Sequence, residues 1–301
     1  MATNIEKDHI SGTDTTGHEW DGIKELNTPL PKWWIYTFYG TVIWALGYTI
    51  AYPAWPLLHG ATPGLLGYSS RAEVAKTIDD AKAGQKDSLD KIAAASVDDI
   101  LKDDKLREFA RAGGGAAFKV NCVPCHGAGA AGSPGYPNLN DDDWVWGGTA
   151  DAIYTTLKNG IRYTANADTR VMDMQVFGPD PANDGAATLN PEQIDQVANF
   201  VLTLPGGQAD AAKAEAGKQL FADNCAACHG DAGLGKQDMG APNLTDKIWL
   251  YGGTVEAVKA QVSKPRMGVM PAWSHRLDDT TVKQLAVYVH TLGGGQAAAA
   301  R

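Results

Sequence analysis

The chain has 301 residues, 44% of them hydrophobic and 20% charged, with a formal net charge of −9. This composition excludes a disordered chain, and the acidic balance excludes a nucleic-acid partner, which would need concentrated Lys and Arg. Four cysteines are too few for a disulfide-dense scaffold, and the mean hydropathy is too polar for a polytopic membrane protein while leaving room for one span.

In chain order, a polar segment over residues 1–32 comes first. Between Lys32 and Arg71 there is no Asp, Glu, Lys or Arg, and the densest part of that run is WWIYTFYGTVIWALGYTIAYPAWPLL over 33–58. About 20 helical residues cross a hydrocarbon core of about 30 Å, and Trp33 to Tyr52 supplies them. Pro53 and Pro56 stop the helix. Trp33, Trp34 and Tyr36 at one end, with Tyr52 and Trp55 at the other, match interfacial aromatic belts. The expectation is an uncleaved transmembrane anchor, because no A-x-A-like site follows a short apolar core. Gly, Thr and Tyr within the span point to a face that packs on other transmembrane helices. Residues 59–107 read as an Ala-rich helical linker, with Val74, Ile78, Leu89, Ile92, Ile100 and Leu101 at helical spacing.

Beyond the linker the chain repeats itself. FKVNCVPCHGAGA and FADNCAACHGDAG open the two copies; Asn138-Leu139 matches Asn243-Leu244, Trp144 matches Trp249, and Gly147-Gly148-Thr149 matches Gly252-Gly253-Thr254. Each copy closes with an amphipathic segment, carrying Ile194, Val197, Ala198 and Val201 in one and Val282, Leu285 and Val289 in the other. Pro-Gly-Gly at 205–207 marks a boundary, giving modules over 108–206 and 210–296. Each is small enough to need a large apolar group inside it.

All four cysteines fall in two C-x-x-C-H strings, Cys122/Cys125/His126 and Cys225/Cys228/His229. Two thiols three residues apart reach the two vinyl groups of one haem as thioethers, and the adjacent His faces the iron. Structural zinc would need a second Cys or His pair in each module, and His59, His275 and His290 do not supply one. A redox-active dithiol would sit in a βαβ context, which the sequence lacks. Two covalently bound haem c groups are expected.

A sixth iron ligand is expected downstream. Met270 stands in Gly-Val-Met-Pro-Ala-Trp, with Met267 and Met239 as competitors. In the first copy Met174 is preferred and Met172 is the alternative, with Gln175 where Pro would be expected. His/Met coordination raises the potential and leaves no open position, which means electron transfer and no catalytic residue in this chain. Arg162 and Arg266 precede the Met loops as candidates for propionate pairing. Trp144, Trp249, Tyr251 and Trp273 read as pocket walls.

The entry string His18-Glu19-Trp20-Asp21-Gly22-Ile23-Lys24-Glu25-Leu26-Asn27-Thr28-Pro29-Leu30-Pro31-Lys32-Trp33-Trp34, the span ending Tyr52-Pro53-Ala54-Trp55-Pro56 and the two haem modules together resemble the dihaem subunit III of cbb3-type cytochrome c oxidases, the CcoP/FixP family. The resemblance covers nearly the whole chain. It implies an all-α fold, with one N-terminal transmembrane helix followed by two tandem class I cytochrome c domains. It also implies a relay of electrons from a soluble or membrane-bound cytochrome c donor toward the monohaem cytochrome c subunit and the catalytic haem-copper subunit, which reduces oxygen to water.

By position, the resemblance makes Cys122, Cys125, Cys225 and Cys228 the attachment residues, and His126, Met174, His229 and Met270 the iron ligands. It allows the Met of one module to serve the haem of the other, and the sequence does not distinguish crossed from local ligation. It places the chain in a bacterial inner membrane in contact with lipid, N-terminus cytoplasmic and haem modules periplasmic, as haem attachment outside the cytoplasm requires. An acidic surface would suit a basic donor. Two other readings are a stand-alone membrane-anchored dihaem shuttle, which would not need the entry string, and a dihaem peroxidase, which would need a haem able to lose its Met.

Overall fold

A computed structural model of the chain describes residues 4–180, 182 and 184–297; residues 1–3 of the expected N-terminal segment lie outside them. Two compact units are formed, Met1–Gly84 and Gln85–Arg301.

The first unit corrects the all-α expectation. It opens with an antiparallel hairpin, β1 (Thr15–Trp20) and β2 (Ile23–Leu26), in which Trp20 pairs with Ile23. Asp21 and Gly22 form the turn with φ of 51° and 84°. Positive φ at both central residues matches the twist of the flanking strands, which is why Asp-Gly favours this turn. A second hairpin, β3 (Pro56–Leu57) and β4 (Gly60–Ala61), follows α1 (Lys32–Ala51).

The twenty residues of α1 include none that is buried. Among the described residues no helix is long and apolar enough to cross a membrane; in α1, Trp, Tyr, Thr and Gly dilute the aliphatic side chains. The helix stops before Pro53, and the chain folds back to satisfy its last carbonyls: Leu65 N donates to Ile50 O at 2.9 Å and Leu66 N to Ala51 O at 3.0 Å. Gly64, with φ 70°, permits that return, since a Cβ there would stand 2.5 Å from Ala51 O.

The helix α2 spans Ser70–Ala94. The second unit continues with α3 (Val97–Lys102), α4 (Asp104–Asn121), α5 (Val123–His126), α6 (Ala150–Asn159), α7 (Pro191–Thr203), α8 (Ala211–Asn224), α9 (Ala226–His229), α10 (Val255–Ser263) and α11 (Asp279–His290). Loops with side-chain caps separate them: Thr149, Asn190, Thr254 and Asp278 each accept a backbone N–H of the helix they precede. The stretch expected as a linker joins the core at its end, where Ile92, Val97 and Ile100 are buried.

Two hydrophobic cores form, and both cross the repeat boundary. The first gathers Phe118 and Cys122 at the end of α4, Ile153 and Leu157 of α6, and Val282, Leu285, Ala286 and Val289 of α11. The second gathers Ile194, Val197, Ala198 and Val201 of α7, Phe221 and Cys225 at the end of α8, and Val258 and Val262 of α10. The repeats 108–206 and 210–296 therefore do not coincide with the packed units, because the last helix of each repeat covers the core of the other. Glycines make the crossings possible. A Cβ on Gly114 would overlap the Gln284 carbonyl and stand 2.7 Å from Tyr288 Cβ, and one on Gly217 would overlap the Gln196 carbonyl. One turn further on, Phe118 meets Tyr288 with ring centroids 5.3 Å apart, and Phe221 meets Phe200 at 5.2 Å.

Candidate haem-binding sites

Each C-x-x-C-H string is wound into a single tight turn. Cys122 caps α4 and starts α5: Cys125 N and His126 N both donate to Cys122 O, at 3.1 and 2.9 Å. The second copy repeats this, with Cys228 N and His229 N on Cys225 O at 3.2 and 2.9 Å. Gly127 and Gly230, at φ 80° and 79°, end the turns. Cys122 and Cys225 are buried and Cys125 exposed, while Cys228 is half-buried. One turn thus presents two thiols and an imidazole together, as attachment to one macrocycle requires.

The histidines are oriented from behind. His126 Nδ1 lies 3.1 Å from Pro137 O, and His229 Nδ1 lies 3.1 Å from Pro242 O. A carbonyl only accepts, so Nδ1 carries the proton and Nε2 keeps its lone pair for a metal. Burial holds both imidazoles below their ordinary pKa, against a weaker upward pull from the proline carbonyls. Burial, with the neighbouring cysteine, pushes the Cys122 and Cys225 thiols up to about 11. Among the described residues no group of three or more His, Cys, Asp or Glu is placed to hold a metal ion. The donor set fits thioether attachment and imidazole ligation, and it does not fit structural zinc.

The methionines are sorted by burial and by the cores they join. Met172 and Met267 are exposed. Met270 is half-buried against the core that holds Cys122, and Met174 against the core that holds Cys225. Backbone contacts fix this crossed placement. Ile161 N donates to Met270 O at 2.9 Å and Met270 N to Ile161 O at 3.0 Å. Gly160, at φ 74°, permits the approach, since a Cβ there would lie 2.5 Å from Met270 O. On the other side, Phe177 N donates to Val262 O at 3.3 Å and Gly178 N to Ser263 O at 3.0 Å, which carries the Met174 loop along the end of α10.

The expected pocket walls divide between the cores: Trp144 and Trp273 belong with Cys122, and Trp249 with Cys225. Tyr251 and an unforeseen residue, Trp146, join the modules instead. Trp146 covers Gly240, where a Cβ would overlap its ring, and Tyr251 lies against Gly135 at 3.6 Å from such a Cβ. Arg170 stacks on Trp146 at 5.2 Å and Arg266 on Tyr251 at 4.6 Å. Gly135 and Gly240 each stand two residues before the proline whose carbonyl orients a histidine, so each module braces the loop that orients the other module's imidazole. The alignment of Trp146 with Tyr251, in Trp-Val-Trp-Gly-Gly and Trp-Leu-Tyr-Gly-Gly, was the signal available in the sequence.

Comparison with known proteins covers the same regions. Residues 12–59 match the family model described as the N-terminal domain of cytochrome oxidase-cbb3, FixP. Residues 112–205 match cytochrome c, and 212–289 match cytochrome c oxidase, cbb3-type, subunit III. The chain is 56% identical over 288 residues to the Cbb3-type cytochrome c oxidase subunit FixPc of Rhizobium leguminosarum bv. viciae, covering 96% of this chain and 98% of that one. It is 53% identical over 289 residues to FixP of Rhizobium meliloti, covering 96% and 97%. It is 49% identical over 296 residues to CcoP of Cereibacter sphaeroides, covering 98% and 100%. With two cytochrome c domains behind a FixP N-terminal domain, the chain belongs to the FixP/CcoP family of cbb3-type cytochrome c oxidase subunits, and is a dihaem cytochrome c electron-transfer subunit of that respiratory complex.

Proposed function

We propose that the chain holds one haem by thioethers at Cys122 and Cys125 with His126 and Met270 as axial ligands, and a second by thioethers at Cys225 and Cys228 with His229 and Met174. The observation that carries this assignment is the packing of Met270 with the Cys122 core and of Met174 with the Cys225 core, across the repeat boundary. When bound, the haem irons supply one-electron exchange between ferrous and ferric states. The chain orients each imidazole through a proline carbonyl, closes each site with a half-buried thioether, and excludes water with the tryptophans and the crossed helices. Held by an imidazole and a thioether of the chain, each haem would supply electron relay and not oxygen activation.

In this reading electrons enter from a cytochrome c donor and leave toward the monohaem and haem-copper subunits. The segment 33–58 anchors the chain in the inner membrane, with residues 1–32 cytoplasmic and the modules periplasmic. Support for the anchor comes from α1 itself. At about 1.5 Å per residue its twenty residues are about 30 Å long. Trp33, Ile43 and Trp44 face outward. The threonines that lower its hydropathy are satisfied within the helix, Thr37 to Trp33 O at 2.9 Å, Thr41 to Phe38 O at 2.7 Å and Thr49 to Leu46 O at 2.9 Å.

The ligand assignment is tested by optical and EPR redox titration of Met174→Leu and Met270→Leu. Each substitution is expected to abolish the low-spin His/Met signature at one haem. In a background lacking Cys225 and Cys228, Met270→Leu is expected to abolish the only remaining signature; its survival there overturns the crossed pairing. Resistance of the membrane-bound chain to alkaline carbonate extraction tests the anchor.

A further inference from the structure

Arg162 lies where the two methionine-bearing loops meet. Its guanidinium donates three hydrogen bonds: Nε to Asp173 Oδ1 at 2.7 Å, Nη2 to Met172 O at 3.0 Å, and Nη1 to Gly268 O at 3.1 Å. The first two acceptors stand within two residues of Met174, and the third stands two residues before Met270. The backbone around it is equally engaged. Arg162 N donates to Arg170 O at 2.7 Å, and the preceding Ile161 forms the paired bonds to Met270. Arg162 holds φ at 52°, a conformation that a residue with a Cβ adopts only when its surroundings fix it. A planar fork with donors on several fixed edges engages two loops at once in one set orientation, whereas an ammonium offers three donors from a single point. Arg266, its counterpart in the second repeat, instead stacks on Tyr251 and donates to Tyr251 O at 3.1 Å, so the device is single.

We propose that Arg162 is a positioning residue that ties both methionine loops into one unit, so that methionine ligation at either haem depends on the same guanidinium. The inference rests on Met174 and Met270 being the axial ligands. If that assignment fails, the leucine variants of those residues fail to change the spectra, whatever Arg162 does.

The test is imidazole titration of the ferric holo-subunit carrying Arg162→Gln. Imidazole displaces a weakly held thioether, and the fall of the Met–iron(III) charge-transfer absorption reads that displacement. Met174→Leu and Met270→Leu backgrounds each leave one such band, which separates the two haems. Charge-assisted bonds of this kind are worth enough for their loss to change an equilibrium about tenfold. Arg162→Gln is therefore expected to lower the half-saturating imidazole concentration about tenfold at both haems. Arg162→Lys keeps the charge without the fork and is expected to restore at most one of them.

A change at one haem only, or full restoration at both by lysine, overturns the proposal. So does a shifted reduction potential with unchanged imidazole affinity, the signature of propionate pairing. Should Arg162→Gln fail to assemble with two haems, Asp173→Asn offers the milder test. It removes one anchor and is expected to raise imidazole affinity at the Met174 haem and, by a smaller factor, at the Met270 haem. No change at the latter refutes the coupling.

Discussion

Gly217→Ala isolates the contact on which the crossed arrangement depends. The new Cβ would overlap Gln196 O and stand 2.5 Å from Gln196 C and 3.0 Å from Val197 N. All three are backbone atoms, so no side chain can rotate aside, and α7 must retreat from α8 by roughly 1 Å to restore ordinary contact. A gap of that size forfeits a quarter to a half of each dispersion contact it opens, at an interface where Val197, Ala198, Val201 and Phe221 are buried. Overpacking of this kind costs about 1–3 kcal/mol, while the greater helix propensity of Ala returns at most about 1 kcal/mol.

A net loss of about 1 kcal/mol lowers the melting temperature of a unit this size by roughly 2–4 °C. The assay is thermal unfolding of the holo-subunit followed by far-UV circular dichroism, with the Met–iron band read separately. The band of the haem on Cys225 and Cys228 should weaken first, although α7 belongs to the first repeat. Gly84→Ala is the control: in α2 nothing lies within 4 Å of the added Cβ, so that variant should gain about 0.5–1 kcal/mol. If Gly217→Ala melted as the unsubstituted chain does, α7 would not be seated on α8 as described.

Two carboxylates should shape the pH dependence of stability in opposite senses. Burial, then Asp246, Asp141 and Asp142, push Asp143 up to about 6. The folded chain thus binds more protons than the unfolded one between about pH 4 and 6, and stability falls as pH rises through that window. Asp143→Asn should therefore melt higher above pH 6, by about 1 kcal/mol after solvent screening, and match the parent below pH 4. Parallel stability curves would refute this. Asp195 receives Lys213 and Lys259, each at 2.7 Å, and these bonds hold its carboxyl below the ordinary value. That contribution is present above the unfolded value and lost as pH falls through the folded one. Asp195→Asn should cost about 0.5 kcal/mol at neutral pH and low salt, and nothing in strong acid. Asn199, buried in α7, accepts from Asp210 N at 2.9 Å and donates to Asp195 O at 2.8 Å. Asn199→Ala leaves the first of these donors without its partner and should cost about 1–2 kcal/mol in urea unfolding.

The haem chemistry was legible because covalent attachment needs a fixed local spacing, and both Cys-x-x-Cys-His strings carry it without reference to the rest of the fold. The β1–β2 hairpin was legible too, since Asp21-Gly22 between strand-like residues is the strongest short turn signal. Burial alone separates Met174 from Met172 and Met270 from Met267, and burial is a property of the packed chain. Arg162 could be placed before a methionine loop from sequence, but its reach across two loops depends on how the repeats dock.

The crossing itself is only weakly marked in side-chain patterns, because the repeats offer similar surfaces. Gly114 with Phe118 and Gly217 with Phe221 present similar notches, wider in α4 where Gly113 and Gly115 flank Gly114, and Gln196 with Phe200 and Gln284 with Tyr288 present similar ridges. Loop length breaks the tie. Pro205-Gly206-Gly207 looks like a boundary between modules, yet only residues 204–210 separate α7 from α8. A connection that short joins antiparallel neighbours, and Gly206 N on Thr203 O at 3.0 Å with Gly207 N on Leu202 O at 2.9 Å closes the turn. Once α7 is committed to α8, the notch on α4 is left for α11, and α11 fills it. The Pro-Gly-Gly that seems to separate two cytochromes is thus the hinge that interleaves them, which draws Met174 toward Cys225 and leaves Met270 to Cys122.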